Sequence, residues 1–162
     1  MTMIRRINKS KSGFTLVELV VVIAILGILA AIAIPSVVGI INNAGETREK
    51  DNAAALDEAC VNYYDMVVAG ALNSTNKGGS TQTDLPGAHG TVAAYKQAAR
   101  NATVIHACEY SNLPNIIKEL NGGSDVYVYD DAGDIMTKSE ADEKGITVST
   151  VTKTTKLGDL YK

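Results

Sequence analysis

Histidine and cysteine are scarce in this chain: two of each, His89, His106, Cys60 and Cys108, among 162 residues. So few, this far apart, cannot supply the paired ligands of a structural metal framework, and neither a metal nor a cofactor is expected. Aromatic side chains are missing from positions 15–62, which excludes a path of closely spaced rings along that stretch. Proline occurs three times, and none lies between Pro35 and Pro86, so a helix running on from Pro35 has no second proline to bend it. No Leu-Pro-x-Thr-Gly signal and no apolar tail are present, so sortase anchoring to a cell wall is not expected. Positive charge is short as well. Four of the fifteen basic residues (Arg5, Arg6, Lys9, Lys11) precede Gly13, whereas all eighteen acidic ones follow it. What remains after Gly13 carries eleven basic against eighteen acidic side chains, a net charge of −7. Such a body lacks the basic face that a phosphate backbone requires, so DNA binding is not expected.

What is present begins with an apolar run. Residues 14–34, FTLVELVVVIAILGILAAIAI, are 21 residues with a single charge, Glu18. As a helix the run rises roughly 31 Å, the thickness of a bilayer's hydrocarbon core. The basic residues on its N-terminal side keep that end in the cytoplasm and place the remainder outside. A secretory signal peptide shares the basic start, and Ala31-Ile32-Ala33 offers a cleavage site. Two features oppose it. The run exceeds the 7–15 residues of a signal core, and a carboxylate inside a lipid-embedded helix is costly enough to demand a function and a partner.

Lys-Ser-Gly13 followed by Phe14-Thr-Leu-Val-Glu18 resembles the type III leader of the type IV pilin and pseudopilin superfamily: a short basic leader, a glycine, the cut, a phenylalanine, and a glutamate at the fifth mature position. The resemblance covers roughly the first fifty residues. It implies an α+β fold in which a long N-terminal helix, half transmembrane and half amphipathic, packs on a small antiparallel β-sheet head. It implies cleavage after Gly13 by a prepilin peptidase and N-methylation of Phe14. Gly27 and Pro35 fall where many type IV pilins carry helix-loosening residues. It implies a structural subunit rather than an enzyme, one that an ATPase-driven machine on an inner-membrane platform would polymerise from the cytoplasmic membrane into a surface fibre used for adhesion or motility. A pseudopilin of a type II secretion or competence system, or a minor pilin acting as an adhesin, would share this N-terminus.

The physical logic agrees with the resemblance. Cutting before an apolar segment leaves that segment as the protein's own N-terminus, useful to a chain that is stored in the membrane and then bundles with copies of itself. The cut also creates an amine, cationic near neutral pH, and a paired carboxylate is far less costly in a low-dielectric bundle than an unpaired one. Glu18 is thus expected to meet the Phe14 amine, of a neighbouring subunit by the resemblance. The two are also one helical turn apart within one chain, so both pairings stay open.

The rest reads as follows. Residues 1–13 are a cleaved leader, 14–34 the transmembrane and polymerisation helix, and 35–162 the extracytoplasmic head. Apolar residues at helical spacing carry the helix on from Pro35 to Leu72, with Val38, Ile41, Ala44, Ala55, Leu56, Ala59, Cys60, Tyr63 and Val67 on one face and Glu46, Arg48, Glu49, Lys50, Asp57, Glu58 and Asp65 on the other. Residues 73–90 are polar and glycine-rich, a surface loop. Thr91 to Glu109 and Pro114 to Leu120 predict two short helices, the second stopped by Gly122-Gly123. Val126–Tyr129, Ile135–Thr137 and Ile146–Thr155 predict three strands in an antiparallel meander, with a turn at 130–133.

Three candidate sites compete with a purely structural reading. His106-Ala-Cys108 pairs a thiol with a base, yet the i, i+2 spacing points them apart on a helix and no third group orients them. Asp125, Asp130, Asp131 and Asp134 are acidic enough for calcium, but their spacing is hairpin chemistry and not that of an EF-hand. Cys60 and Cys108 either form a disulfide, worth about 4 kcal/mol by loop-closure entropy, or remain two small buried thiols. Many pilins close a C-terminal loop with two cysteines; here 54 residues lie beyond Cys108.

Overall fold

A computed structural model describes residues 13–162, and the leader expected over 1–13 lies outside the described residues except for Gly13. The chain divides into two compact units, one ending at Ala44 and the other spanning Gly45–Lys162. Helix α1 (Leu16–Val68, 53 residues) crosses that boundary without a break. In the first unit, large apolar side chains from Leu16 to Ile41 are exposed. Here α1 contains a window of mean hydropathy 3.0, long and apolar enough to cross a membrane. Val and Ile lower helix propensity in water, a handicap that matters little in hydrocarbon, where each backbone group must find its partner inside the helix.

The second unit is built around the remainder of α1. Ala53, Leu56, Ala59, Cys60, Tyr63 and Val67 form a stripe buried at three- and four-residue spacing. Around it lie α2 (Val92–Asn101), α3 (Val104–Tyr110), α4 (Pro114–Asn121), α5 (Lys138–Lys144) and α6 (Leu157–Leu160). Three short strands, β1 (Tyr127–Tyr129), β2 (Ile135–Thr137) and β3 (Ser149–Thr150), complete it. One core cluster joins the α1 stripe to Tyr127, Ile135, Val151, Leu157 and Leu160, so helix and sheet share a hydrophobic interior. This is the expected α+β class.

Three details differ from the sequence expectations. The helix expected over Thr91–Glu109 is two, because Ala102 leaves helical geometry with ψ at 146°. The C-terminal segment captures the backbone there: Leu157 N–H donates to Ala102 O at 2.8 Å and Val104 N–H to Thr155 O at 2.9 Å. The sheet is not a meander, since β1 lies between β2 and β3, antiparallel to both. Helix α5 follows β2 at once and carries the chain away before β3 joins the other edge of β1. The third strand is two residues rather than ten, because threonine hydroxyls close a local turn: Thr152 N–H donates to Thr155 Oγ1 at 2.8 Å.

The turn between β1 and β2 requires glycine. Gly133 has φ +95°, and a Cβ there would lie 2.1 Å from Leu160 O, so the backbone of α6 packs directly against it.

Candidate functional site

Gly13 to Thr15 precede the helix, and a Cβ on Gly13 would meet nothing within 4 Å. Nothing among the described residues therefore asks for glycine at this position. Phe14 is 88% exposed. Thr15 then opens α1 through a reciprocal pair of contacts with Glu18. Its backbone N–H donates to Glu18 Oε2 at 2.8 Å and its hydroxyl donates to the same oxygen at 2.9 Å. Glu18 N–H returns a bond to Thr15 Oγ1 at 3.3 Å. This is a capping box: the first turn's unpaired donors are met by side chains, and a carboxylate sits at the positive end of the helix dipole. The carboxylate is thus oriented by its own chain, and Oε1 accepts no hydrogen bond from the described residues. Thr15 is the residue the sequence reading missed, although Thr15-x-x-Glu18 ahead of an apolar run is itself a capping signature.

Gly27 and Pro35 both lie inside α1, which runs through them as helix. Pro35 has no N–H to donate, and nearby the Ser36 hydroxyl donates to Ile32 O at 3.4 Å. A Cβ on Gly27 would also meet nothing within 4 Å.

The competing sites resolve into structure. Cys60 on α1 and Cys108 on α3 are both fully buried in one core cluster as free thiols. Burial pushes the Cys60 thiol well above its ordinary value and Cys108 up to about 12, so neither supplies a thiolate near neutral pH. His106 is occupied as a cap: its Nδ1 accepts from Thr103 N–H at 3.1 Å, and burial holds its pKa below the usual value. Asp130 Oδ1 accepts from Ala132 N–H at 2.9 Å and Asp134 N–H at 3.1 Å, the bonding of a turn. Asp125 pairs with Lys138 at 3.2 Å. Among the described residues no three His, Cys, Asp or Glu side chains converge on a metal position.

Comparison with known proteins bears on the same N-terminus. Residues 8–34 match the family model of the prokaryotic N-terminal methylation motif. The type IV major fimbrial protein FimA of Dichelobacter nodosus is 33% identical over 111 residues, covering 60% of this chain and 69% of that protein. A fimbrial protein of Neisseria meningitidis serogroup A is 33% identical over 111 residues, covering 68% of this chain and 63% of that protein. The type IV major pilin protein PilA of Myxococcus xanthus is 41% identical over 61 residues, 38% of this chain and 28% of that protein. No solved structure matches the chain. A methylation motif on an exposed apolar helix and relatives that are fimbrial subunits lead to one conclusion: the chain belongs to the type IV pilin family.

Proposed function

We propose that the chain is made as a precursor, cut after Gly13, N-methylated at Phe14, held in the cytoplasmic membrane by residues 14–34, and polymerised into a surface fibre. A prepilin peptidase, an assembly ATPase and an inner-membrane platform act on it; the chain itself is a structural subunit and not an enzyme. The observation that carries this reading is an apolar helix exposed from Leu16 to Ile41 with an oriented carboxylate at its start. Such a surface has to be covered, first by lipid and then by copies of itself.

Length gives the second step a physical basis. No charge occurs between Glu18 and Glu46, and those 27 uncharged residues extend about 40 Å as helix. A hydrocarbon core of about 30 Å leaves roughly two turns uncovered unless the helix tilts. Ile40 and Ile41, both exposed, lie in that overhang. Packing against neighbouring subunits buries them and removes the mismatch. The cut supplies a cation one helical turn from Glu18, so processing and assembly are coupled: before cleavage, the atom that becomes the Phe14 amine is a neutral amide. Gly27 and Pro35 then allow α1 to loosen locally where helices crowd.

Mass spectrometry of the mature protein from its own cells tests the processing step. The expected N-terminus is Phe14 carrying one added methyl group. An N-terminus at Ile34 would mean ordinary signal-peptide removal and would end this reading.

A further inference from the structure

After Gly13 the chain contains two tripeptides of the Asn-x-Ser/Thr acceptor pattern for N-linked sugar, Asn73-Ser74-Thr75 and Asn101-Ala102-Thr103. Their structural settings differ. Asn101 is the last residue of α2, and its amide is engaged on both sides, accepting from Gln97 Nε2 at 3.1 Å and donating to Asp84 at 3.5 Å. Ala102 is fully buried, and Thr103 forms a β-bridge with Lys156 while its hydroxyl contacts His106. That tripeptide cannot enter a transferase without unpicking the junction of α2, α3 and the C-terminal segment.

The other tripeptide lies in the segment between α1 and α2, where 23 residues form neither helix nor strand. Asn73 is half-buried, and Ser74 and Thr75 are exposed. Asn73 Oδ1 accepts from Thr75 N–H at 2.9 Å and Asn76 N–H at 3.0 Å. Those bonds turn the amide oxygen in toward the loop backbone. The amide nitrogen, at the other end of the planar group, and the Thr75 hydroxyl make no hydrogen bond with the described residues. The nucleophile and the hydroxyl that defines the pattern are thus both unengaged, on an exposed turn whose shape is already set.

From this juxtaposition we infer that Asn73 is a site of N-glycosylation, taking an oligosaccharide from a polyprenyl-pyrophosphate carrier. The Asn73 nitrogen attacks the anomeric carbon, forming a C–N bond as the sugar–phosphate C–O bond breaks. The amide proton passes to a base on the transferase, and polyprenyl pyrophosphate leaves with the bonding electron pair. The inference rests on the head lying outside the cytoplasm, as proposed above, where such carriers deliver sugar. A glycan here would coat the head next to the end of α1 without disturbing the core.

The test is peptide mass spectrometry of the full-length protein purified from its own cells. Tryptic cleavage isolates residues 51–77, which contain Asn73 and no other acceptor tripeptide. The expected result is sugar-derived fragment ions from this peptide, with the mass gain mapped to Asn73. Enzymatic removal in heavy-oxygen water should convert Asn73 to labelled aspartate. Thr75→Ala, which leaves the Asn73 turn bonds in place because they use backbone N–H groups, should abolish the modified peptide. Thr75→Ser should retain it, and Asn101→Gln should leave it unchanged. A uniformly unmodified 51–77 peptide in protein that begins at Phe14 would overturn the inference alone, as would sugar on Ser74, Thr75 or Asn101. An uncut N-terminus beside a glycosylated Asn73 would overturn the processing reading instead.

Discussion

Replacing Glu18 by glutamine separates the helix cap from the charge that a carboxylate at this position carries. In the structure, one carboxylate oxygen accepts two hydrogen bonds from Thr15, at 2.8 and 2.9 Å. The glutamine side-chain oxygen accepts the same two bonds, so the cap and the start of α1 survive Glu18→Gln. What is lost is the charge. In an assembled fibre the Phe14 amine then sits in a low-dielectric environment with no counter-ion, and leaving one partner of a desolvated pair uncompensated costs on the order of 3–5 kcal/mol. That corresponds to roughly a hundred- to several-thousand-fold in the constant for adding one subunit. Thr15→Val is the matched control, removing the hydroxyl and keeping the charge; losing a cap costs about 1 kcal/mol. The assay compares processed subunit in the membrane with subunit in sheared fibres, for each variant alone and mixed with unmodified chain. Glu18→Gln should be cut and methylated, accumulate in the membrane, and enter mixed fibres far below its share of the pool. Thr15→Val should assemble with a modest deficit. Normal fibre yield from processed Glu18→Gln subunits would refute charge pairing, and accumulation of uncut precursor would show that the carboxylate serves the peptidase instead.

Other outcomes follow from the head. Gly133→Ala places a methyl group 2.1 Å from Leu160 O at a φ of +95°, so it should cost several kcal/mol, with thermal unfolding in detergent falling by more than for an exposed Gly79→Ala. With Cys60 and Cys108 buried and Cys108 held near 12, alkylation at mildly alkaline pH should label neither thiol in the native protein and both after unfolding. Thiols that stay unlabelled after unfolding, until a reductant is added, would instead reveal a bridge. Burial, with Asp134 and Asp130 nearby, raises the Asp57 carboxyl above its ordinary value, so in that window the folded chain holds a proton the unfolded chain releases. Stability tied to that proton is present in acid and lost as pH rises through the raised value. Asp57→Asn, whose side-chain oxygen still accepts from Ile135 N–H, should therefore hold or raise the melting temperature near pH 7 and bring no gain at about pH 3. A lower melting temperature near pH 7 would contradict this sign.

The elements legible in the sequence were those set by local chemistry. Hydropathy alone marks the membrane part of α1, and the three- and four-residue spacing from Leu56 to Val67 marks most of its buried stripe; Ala53 is buried in place of the expected Ala55. Helix α5 was equally legible and is absent from the sequence expectations: Thr137 caps it through Glu140 N–H at 3.2 Å, and Gly145 ends it at φ +63°. Thr15 carries the same kind of local signal, a threonine three residues ahead of Glu18 at the head of an apolar run. The split of α2 from α3 was not legible. It depends on Thr155 and Leu157, more than fifty residues downstream, bonding to the backbone at 102–104. The edge of β1 that receives β3 is likewise set by where α5 delivers the chain, which hydropathy does not encode.

The central claim is that this chain, cut at Gly13 and bundled through its apolar helix, is the substance of a fibre. A structure of fibres sheared from the cells that make it tests this most directly. Such fibres should be composed of this chain beginning at Phe14, with Val37, Val38, Ile40 and Ile41 covered by neighbouring copies and each Glu18 carboxylate paired with a Phe14 amine. Fibres lacking this chain, or fibres in which residues 14–41 remain exposed to water and Glu18 faces no amine, would contradict it.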